Sequence, residues 1–107
     1  EVPIAEPVKD YAVRLVLATH PQKDGRAVLA GRYVLYGSSP RGLQSLILAA
    51  KARSLLAGRP NVSFEDIRAA IRPGLCHRII LNLEADAEGI TTERILEAVV
   101  EDVPEIL

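Results

Sequence analysis

The chain has 107 residues, 49% hydrophobic and 25% charged, with a net charge of −1. That balance suits one globular domain with a modest single core. It argues against a disordered chain and against a large sequence-independent affinity for nucleic acid or acidic membranes. Cys76 is the one cysteine, so no internal disulfide framework is possible; this fits a reducing compartment such as the cytoplasm. No apolar run approaches the roughly 20 residues of a membrane span, and no signal peptide is visible.

Residues 1–6 read as a connector, with Pro3 inside it and Pro7 just after it. The chain starts at Glu1 and contains no methionine, so the expectation is a domain excised from a longer protein. Residues 7–103 are then the folded unit and residues 104–107 a tail. From about Pro7 to Thr19, Val8, Tyr11, Ala12, Leu15 and Val16 share one face, while Lys9, Asp10 and Arg14 lie mostly on the other. This is the pattern of an amphipathic helix. His20-Pro21 ends it, because the residue before proline avoids the helical region.

Asp24-Gly25 is a turn signal. The short apolar runs Ala27-Val28-Leu29 and Tyr33-Val34-Leu35-Tyr36 flank Gly31-Arg32. They allow short strands or a small hairpin, the second run being the better strand by composition.

Gly37-Ser38-Ser39-Pro40-Arg41 opens the element that organises the chain. Ser39 has a hydroxyl suited to capping a helix, and Pro40 sits where a missing N–H costs nothing. Apolar periodicity then runs from Leu43 to Leu56, and Gly58 suits a left-handed helix end. The expected helix covers about Pro40 to Ala57. At roughly 100° per residue, Leu43, Leu46, Ile47, Ala50 and Ala57 make one stripe. Leu48, Ala52 and Leu55 lie opposite, in line with Arg41. A helix packed on one face only is normally polar there. Either the helix is covered all round, or its second face docks onto something outside this chain. A cation in the first turn opposes the helix dipole by about 0.3–1 kcal/mol, which function could justify and which a solvated arginine would also tolerate.

Gly58-Arg59-Pro60-Asn61 reads as a turn. Ser63 caps a further helix with Glu65 and Asp66 in its first turn, where negative charge is favoured. Phe64, Ile67, Ala70 and Ile71 give that helix an apolar side, and Pro73-Gly74 is expected to break it. Leu75 to Arg78 read as a short helical or irregular piece, Ile79-Ile80-Leu81 as helix end or strand, and Leu83 to Gly89 as a short acidic turn or helix. Thr91 or Thr92 starts a last helix with Ile95, Leu96, Val99 and Val100 inward, and Pro104 stops it. The expected fold is therefore mainly α, a small bundle of four or five helices with at most a short strand or hairpin near residues 27–36. Helices this short draw their stability from packing on one another.

Most chemistry is missing. The phosphate-cradling pattern G-x-x-x-x-G-K-[S/T] does not occur; the basic, glycine-spaced stretch from Gly25-Arg26 to Gly31-Arg32 lacks its lysine. Cys76-His77 are sequence neighbours without an evident orienting group, so they make a poor nucleophile and base. One cysteine and two histidines, His20 and His77, do not make a zinc site. Glu84, Asp86 and Glu88 lack the spacing of a calcium loop, so no metal is expected on this chain. Asn61-Val62-Ser63 matches a glycosylation acceptor, but the capping role of Ser63 explains it. A helix-turn-helix reading of residues 40–72 fails on Glu65 and Asp66, which would face phosphates, and no DNA partner is expected.

Gly37-Ser38-Ser39-Pro40-Arg41-Gly42 resembles the G-[A/S]-S-P-R-[A/G] motif of the MoxR family of AAA+ ATPases. The resemblance extends through Tyr11-Ala12-Val13-Arg14-Leu15-Val16, Ala49-Ala50-Lys51-Ala52, Gly58-Arg59, Val62-Ser63-Phe64-Glu65-Asp66-Ile67, His77-Arg78-Ile79-Ile80-Leu81 and Glu84-Ala85-Asp86-Ala87-Glu88-Gly89-Ile90-Thr91. It covers about Val8 to Val100. Cys76 departs from it, standing where arginine is common, and residues 21–32 differ from the short loops of the family. The resemblance implies a C-terminal helical lid on a separate nucleotide-binding core. It implies that Arg41 is the sensor-two arginine reaching ATP, with Ser39 and Pro40 beside the nucleotide. ATP and Mg2+ would belong to the parent protein and not to this fragment alone. The Leu48, Ala52 and Leu55 face would meet the core or a neighbouring subunit of a ring, in that family a hexamer. It further implies chaperone-like remodelling or metal-cofactor maturation of a client protein. The competing expectation is a stand-alone helical module that binds protein or nucleic acid through the Arg41 face.

Overall fold

The helix expected from residue 40 forms as α3, Pro40–Leu56, in a computed structural model that describes residues 3–20 and 28–106. Before it come α1, Glu6–Ala18, then α2, Val28–Tyr33, and β1, Val34–Tyr36. After it come α4, Phe64–Leu75, a 3-10 turn at Cys76–Arg78, β2, Ile80–Leu81, α5, Leu83–Glu88, and α6, Thr92–Asp102. The mainly α bundle is as expected, with six helices among the described residues where four or five were anticipated. The unanticipated one is α2, a turn and a half long and too short for periodicity to reveal; α5 is the helical of the two readings of Leu83 to Gly89. The Asp24-Gly25 turn and the glycine-spaced stretch around Arg26 fall outside the described residues.

Of the short strand or hairpin allowed near residues 27–36, the strand forms as β1, within the run that reads as the better strand, and its partner is not local. Val28–Tyr33 is helical, and β1 pairs antiparallel with β2, with Val34 opposite Leu81 and Tyr36 opposite Ile80. Asn82 fixes this pairing and starts α5. Its N–H donates to the Tyr33 carbonyl at 2.8 Å, its side-chain amide donates to the Arg32 carbonyl at 2.8 Å, and its Oδ1 accepts from Ala85 N–H at 2.9 Å. Gly89 ends α5 in the left-handed conformation at φ 73°. Glu84 and Glu88 are not an isolated acidic face. Both pair with Arg32, at 3.0 and 3.7 Å, and Glu88 accepts the Tyr33 phenol at 2.9 Å. That bond to Glu88 holds the phenol proton and raises the Tyr33 pKa above its ordinary value.

The core is built from α1, α3, α4 and α6. Tyr11 and Leu15, Leu46 and Ala50, Ile67 and Leu75, and Ile95 and Val99 are each almost completely enclosed. Burying one of the leucines, isoleucines or valines among them contributes about 1.5–3 kcal/mol. Helices α3 and α4 form the most extensive pair and run as an antiparallel hairpin, with Arg53 beside Asp66 at one end and Gly74 against Leu46 further along. A Cβ at Gly74 would lie 3.1 Å from Leu46 Cα, so glycine is what allows this approach.

Two expectations about these helices need correction. Pro73-Gly74 does not break α4, which continues to Leu75. Pro73 lies in the final turn, where only one N–H is lost before the chain tightens into the 3-10 turn. Ala57 is exposed and outside the core stripe, because α3 stops at Leu56 and Ala57 is its C-cap. The stripe is completed instead by Gly42 and Ser54, which are buried, with Leu43 and Ile47 partly covered. Ser54 hydroxyl donates to the Asn61 carbonyl at 2.9 Å, fastening the turn between the two helices.

At the chain's edges, Val62 N–H donates to the Pro3 carbonyl at 3.2 Å. Arg14 donates to the carbonyls of Pro104 and Glu105, and Arg68 pairs with Glu105. No helix among the described residues is long and apolar enough to cross a membrane.

Candidate functional site

The loop that carries Arg41 is held by the end of α1. Thr19 is fully buried and makes two bonds there. Its hydroxyl donates to the Val16 carbonyl at 2.6 Å, and its Oγ1 accepts from Ser38 N–H at 2.9 Å. His20 Nε2 lies 2.7 Å from the Ser38 carbonyl; a carbonyl only accepts, so this nitrogen carries the hydrogen. Ser38 is completely enclosed, and its hydroxyl donates to the Ser39 carbonyl at 3.2 Å. The buried polar loop is therefore paired throughout, as burial requires.

Gly37 makes this clamp possible. A Cβ there would sit 2.8 Å from the Cα and N of His20 and from the carbonyl carbon of Thr19. All three are backbone atoms, which cannot rotate away. Gly37→Ala is therefore expected to lower stability by about 1–3 kcal/mol, the range for forced overpacking. Urea denaturation checks it: the midpoint falls with the slope unchanged. Gly42 is constrained one turn later, since a Cβ there would collide with Ser38 Oγ and lie 3.1 Å from Leu75 Cδ2.

Ser39 is the N-cap residue of α3, with extended backbone at φ −79° and ψ 174°, but its hydroxyl makes no capping bond. Its carbonyl accepts from Gly42 N–H at 2.8 Å instead. The first turn is thereby tightened by a backbone bond, while Pro40 at N1 has no N–H to offer. Ser39 and Pro40 are both exposed.

Arg41 projects from this rigid start into solvent. It is exposed and, among the described residues, has no hydrogen-bond or ion-pair partner. It lines an open hollow of about 380 Å3 with Gln44, Ser45, Leu48 and Arg78. Among the described residues, no carboxylate lines that hollow. Its polar groups are two guanidiniums, an amide and a hydroxyl, a donor-rich set suited to a phosphate or another polyanion and unsuited to a cation.

Along the same helix, Leu48 and Leu55 are 70% and 67% exposed, and Ala52 is exposed between them. Of the two readings of this face, covered all round or open, the chain itself leaves it open. Cys76 is a half-buried free thiol, and His77 beside it is exposed. No group of three or more His, Cys, Asp or Glu residues able to hold a metal occurs among the described residues.

The clamp by Thr19 and His20 and the nearness of Arg78 to Arg41 were missed by periodicity. His20 reads in sequence as a helix stop alone, and Arg78 lies 37 positions beyond Arg41. The family resemblance, which includes His77-Arg78, is the one signal that touches Arg78.

The family model described as AAA lid domain matches residues 26–99. Chaperone MoxR1 of Mycobacterium tuberculosis is 35% identical over 95 residues, which are 88% of this chain and 25% of that protein. Protein MoxR of Paracoccus denitrificans is 45% identical over 53 residues, 50% of this chain and 16% of that protein. A crystal structure from Cytophaga hutchinsonii, named a "putative ATPase", superposes with a TM-score of 0.90 at 39% identity, covering 96% of this chain and 31% of that one. The chain thus spans about a quarter of the length of the first of these relatives. With a matching family model, matching relatives and a matching fold, the chain belongs to the AAA lid domain family, as a C-terminal lid of the MoxR-family AAA+ ATPases.

Proposed function

We propose that this lid supplies Arg41 as the sensor-two arginine of an ATPase whose nucleotide-binding core lies outside the chain. In that reading residues 1–6 connect to the core, residues 7–103 are the lid and residues 104–107 a tail. The observation that carries the proposal is the state of Arg41: exposed, unpaired among the described residues and mounted on a loop clamped by Thr19 and His20. A guanidinium that stabilised the fold would be expected to hold a carboxylate or carbonyl, as Arg14 and Arg32 do. This one is left free for a partner, and a fork of donors suits phosphate oxygens.

ATP with Mg2+ on the core supplies the phosphoryl chemistry. Among the described residues the Arg41 hollow offers no carboxylate; in this reading the metal ligands are carried by the core. Arg41 binds the terminal phosphate and stabilises charge there once water is excluded. Leu48, Ala52 and Leu55 meet the core or a neighbouring subunit, which accounts for two of the three leucines that α3 leaves in solvent. The parent assembles as a ring, a hexamer, in the cytoplasm and couples hydrolysis to chaperone-like remodelling or metal-cofactor maturation of a client protein. The same exposed leucines would serve a stand-alone interaction module, but the family assignment favours the lid.

Nucleotide binding to the full-length ATPase tests the proposal. Arg41→Ala should remove most of the preference for a non-hydrolysable ATP analogue over ADP, because the two differ by the phosphate that Arg41 contacts. An unchanged preference would refute the sensor role.

A further inference from the structure

Arginine pairing in this chain is uneven. Arg14, Arg32, Arg53, Arg59, Arg68 and Arg72 each hold a carboxylate. Among the described residues, Arg41, Arg78 and Arg94 do not, and none of these three has a side-chain partner of any other kind. Two of the three, Arg41 and Arg78, line the same hollow. They come from elements far apart in sequence, the first turn of α3 and the 3-10 turn after α4.

The fold brings them there by specific packing. Gly74 lets the end of α4 lie against Leu46, and Leu75, completely buried, reaches the first turn of α3 beside Gly42. Buried Ile79 then anchors the chain immediately after Arg78. Two like charges in one hollow repel, and no acidic side chain among the described residues lines it to offset them. Such an arrangement is stabilised by a ligand with more than one negative charge. Gln44 and Ser45 add neutral donors to the same wall.

We propose that Arg78 is a second phosphate-binding residue, contacting the polyphosphate of the nucleotide that Arg41 meets. This rests on the reading of Arg41 as a phosphate contact. The two arginines would divide the work: Arg41 acts on the terminal phosphate, where charge develops, and Arg78 contributes to holding the nucleotide in both ground and transition states. Uniform binding of that kind lowers KM and leaves kcat largely unchanged.

The test uses the full-length ATPase with R78Q, R78K and R41A, a fluorescent non-hydrolysable ATP analogue, and a thermal melt of each variant. Arg78 is exposed and unpaired among the described residues, so R78Q should keep the wild-type Tm. R78Q is expected to weaken analogue binding about tenfold, the scale of one charge-assisted contact, and to raise KM more than it lowers kcat. R78K, which keeps the charge but not the fork, should fall between. R41A should lower kcat strongly and also weaken analogue binding, through its contact with the terminal phosphate. If R41A is impaired while R78Q binds and turns over ATP like wild type, the Arg78 proposal is overturned and the Arg41 reading stands. If R78Q disrupts subunit assembly but leaves analogue affinity intact, Arg78 meets a protein carboxylate and the proposal is again overturned. If R41A changes nothing, the shared site fails together with the reading beneath it.

Discussion

Arg41→Ala in the full-length ATPase is expected to lower kcat by about a hundredfold or more, with the lid still folded. The magnitude follows from removing one preorganised positive contact to a phosphoryl group in a water-excluded site. The sparing of the fold follows from the structure: Arg41 is exposed and holds nothing within the described chain, so its loss leaves no buried group unpaired. Surface substitutions of that sort stay within about 0.5 kcal/mol of wild type. Removing a cation from the first turn of α3 even relieves a small dipole penalty. Steady-state turnover and a thermal melt on the same preparation separate the two effects. Wild-type turnover in a folded variant would remove Arg41 from the mechanism.

Asp66→Ala should lower stability by about 3 kcal/mol, on the scale of truncating a buried core side chain, seen as a lower denaturation midpoint. Asp66 is completely covered, and three of its neighbours depend on it. Its carboxylate accepts Ser63 N–H at 2.9 Å and the Ser63 hydroxyl at 3.1 Å, while the Ser63 hydroxyl accepts Asp66 N–H at 3.2 Å; together these make a capping box. Arg59 donates to it, and Arg53 lies at 3.3 Å. The estimate combines a lost cap, about 1 kcal/mol, with a broken charge pair. It is held below the top of the buried-pair range because both arginines remain about half exposed and can rehydrate.

The same group sets a pH dependence. Burial alone pushes the Asp66 pKa up, but the Ser63 backbone N–H, the Ser63 hydroxyl and the two arginines together outweigh it and hold it below the ordinary value. A carboxylate depressed in the folded state contributes stability that is fully present above its unfolded pKa, about 3.9. That contribution is lost as pH falls through the folded value. Wild type should therefore lose stability below about pH 4 more steeply than Asp66→Asn, whose curve lacks this contribution. Superimposable acid limbs would contradict the assignment.

Legibility in the sequence followed the range of the interactions. The helix starts at Ser63 and at Thr91 or Thr92 were readable because capping works within three or four residues; Ser63 does cap, and of the two threonines it is Thr91 that does. The apolar stripe of α6 was equally plain, with Ile95, Leu96 and Val99 buried. Ser39 looked the same in sequence but does not cap by its hydroxyl, because buried Ser38 and the Gly42 bond to the Ser39 carbonyl define that turn instead. The pairing of β1 with β2 was not legible, since Val34 and Leu81 are linked only through the folded chain. Arg41 stood out as a cation at an unfavourable helix end. Its exposed leucines stood out by periodicity. Arg78 did not stand out, because an arginine after a histidine carries no spacing signal until α4 packs on α3.

The most direct measurement is a structure of the full-length ATPase with a non-hydrolysable ATP analogue and Mg2+ bound. The account predicts an Arg41 guanidinium nitrogen at about 2.7–2.9 Å from an oxygen of the terminal phosphate, the distance of a charge-assisted hydrogen bond, with Leu48 and Leu55 covered by the core or by a neighbouring subunit. Arg41 still turned to solvent with the nucleotide in place, and another residue on the terminal phosphate, would contradict it.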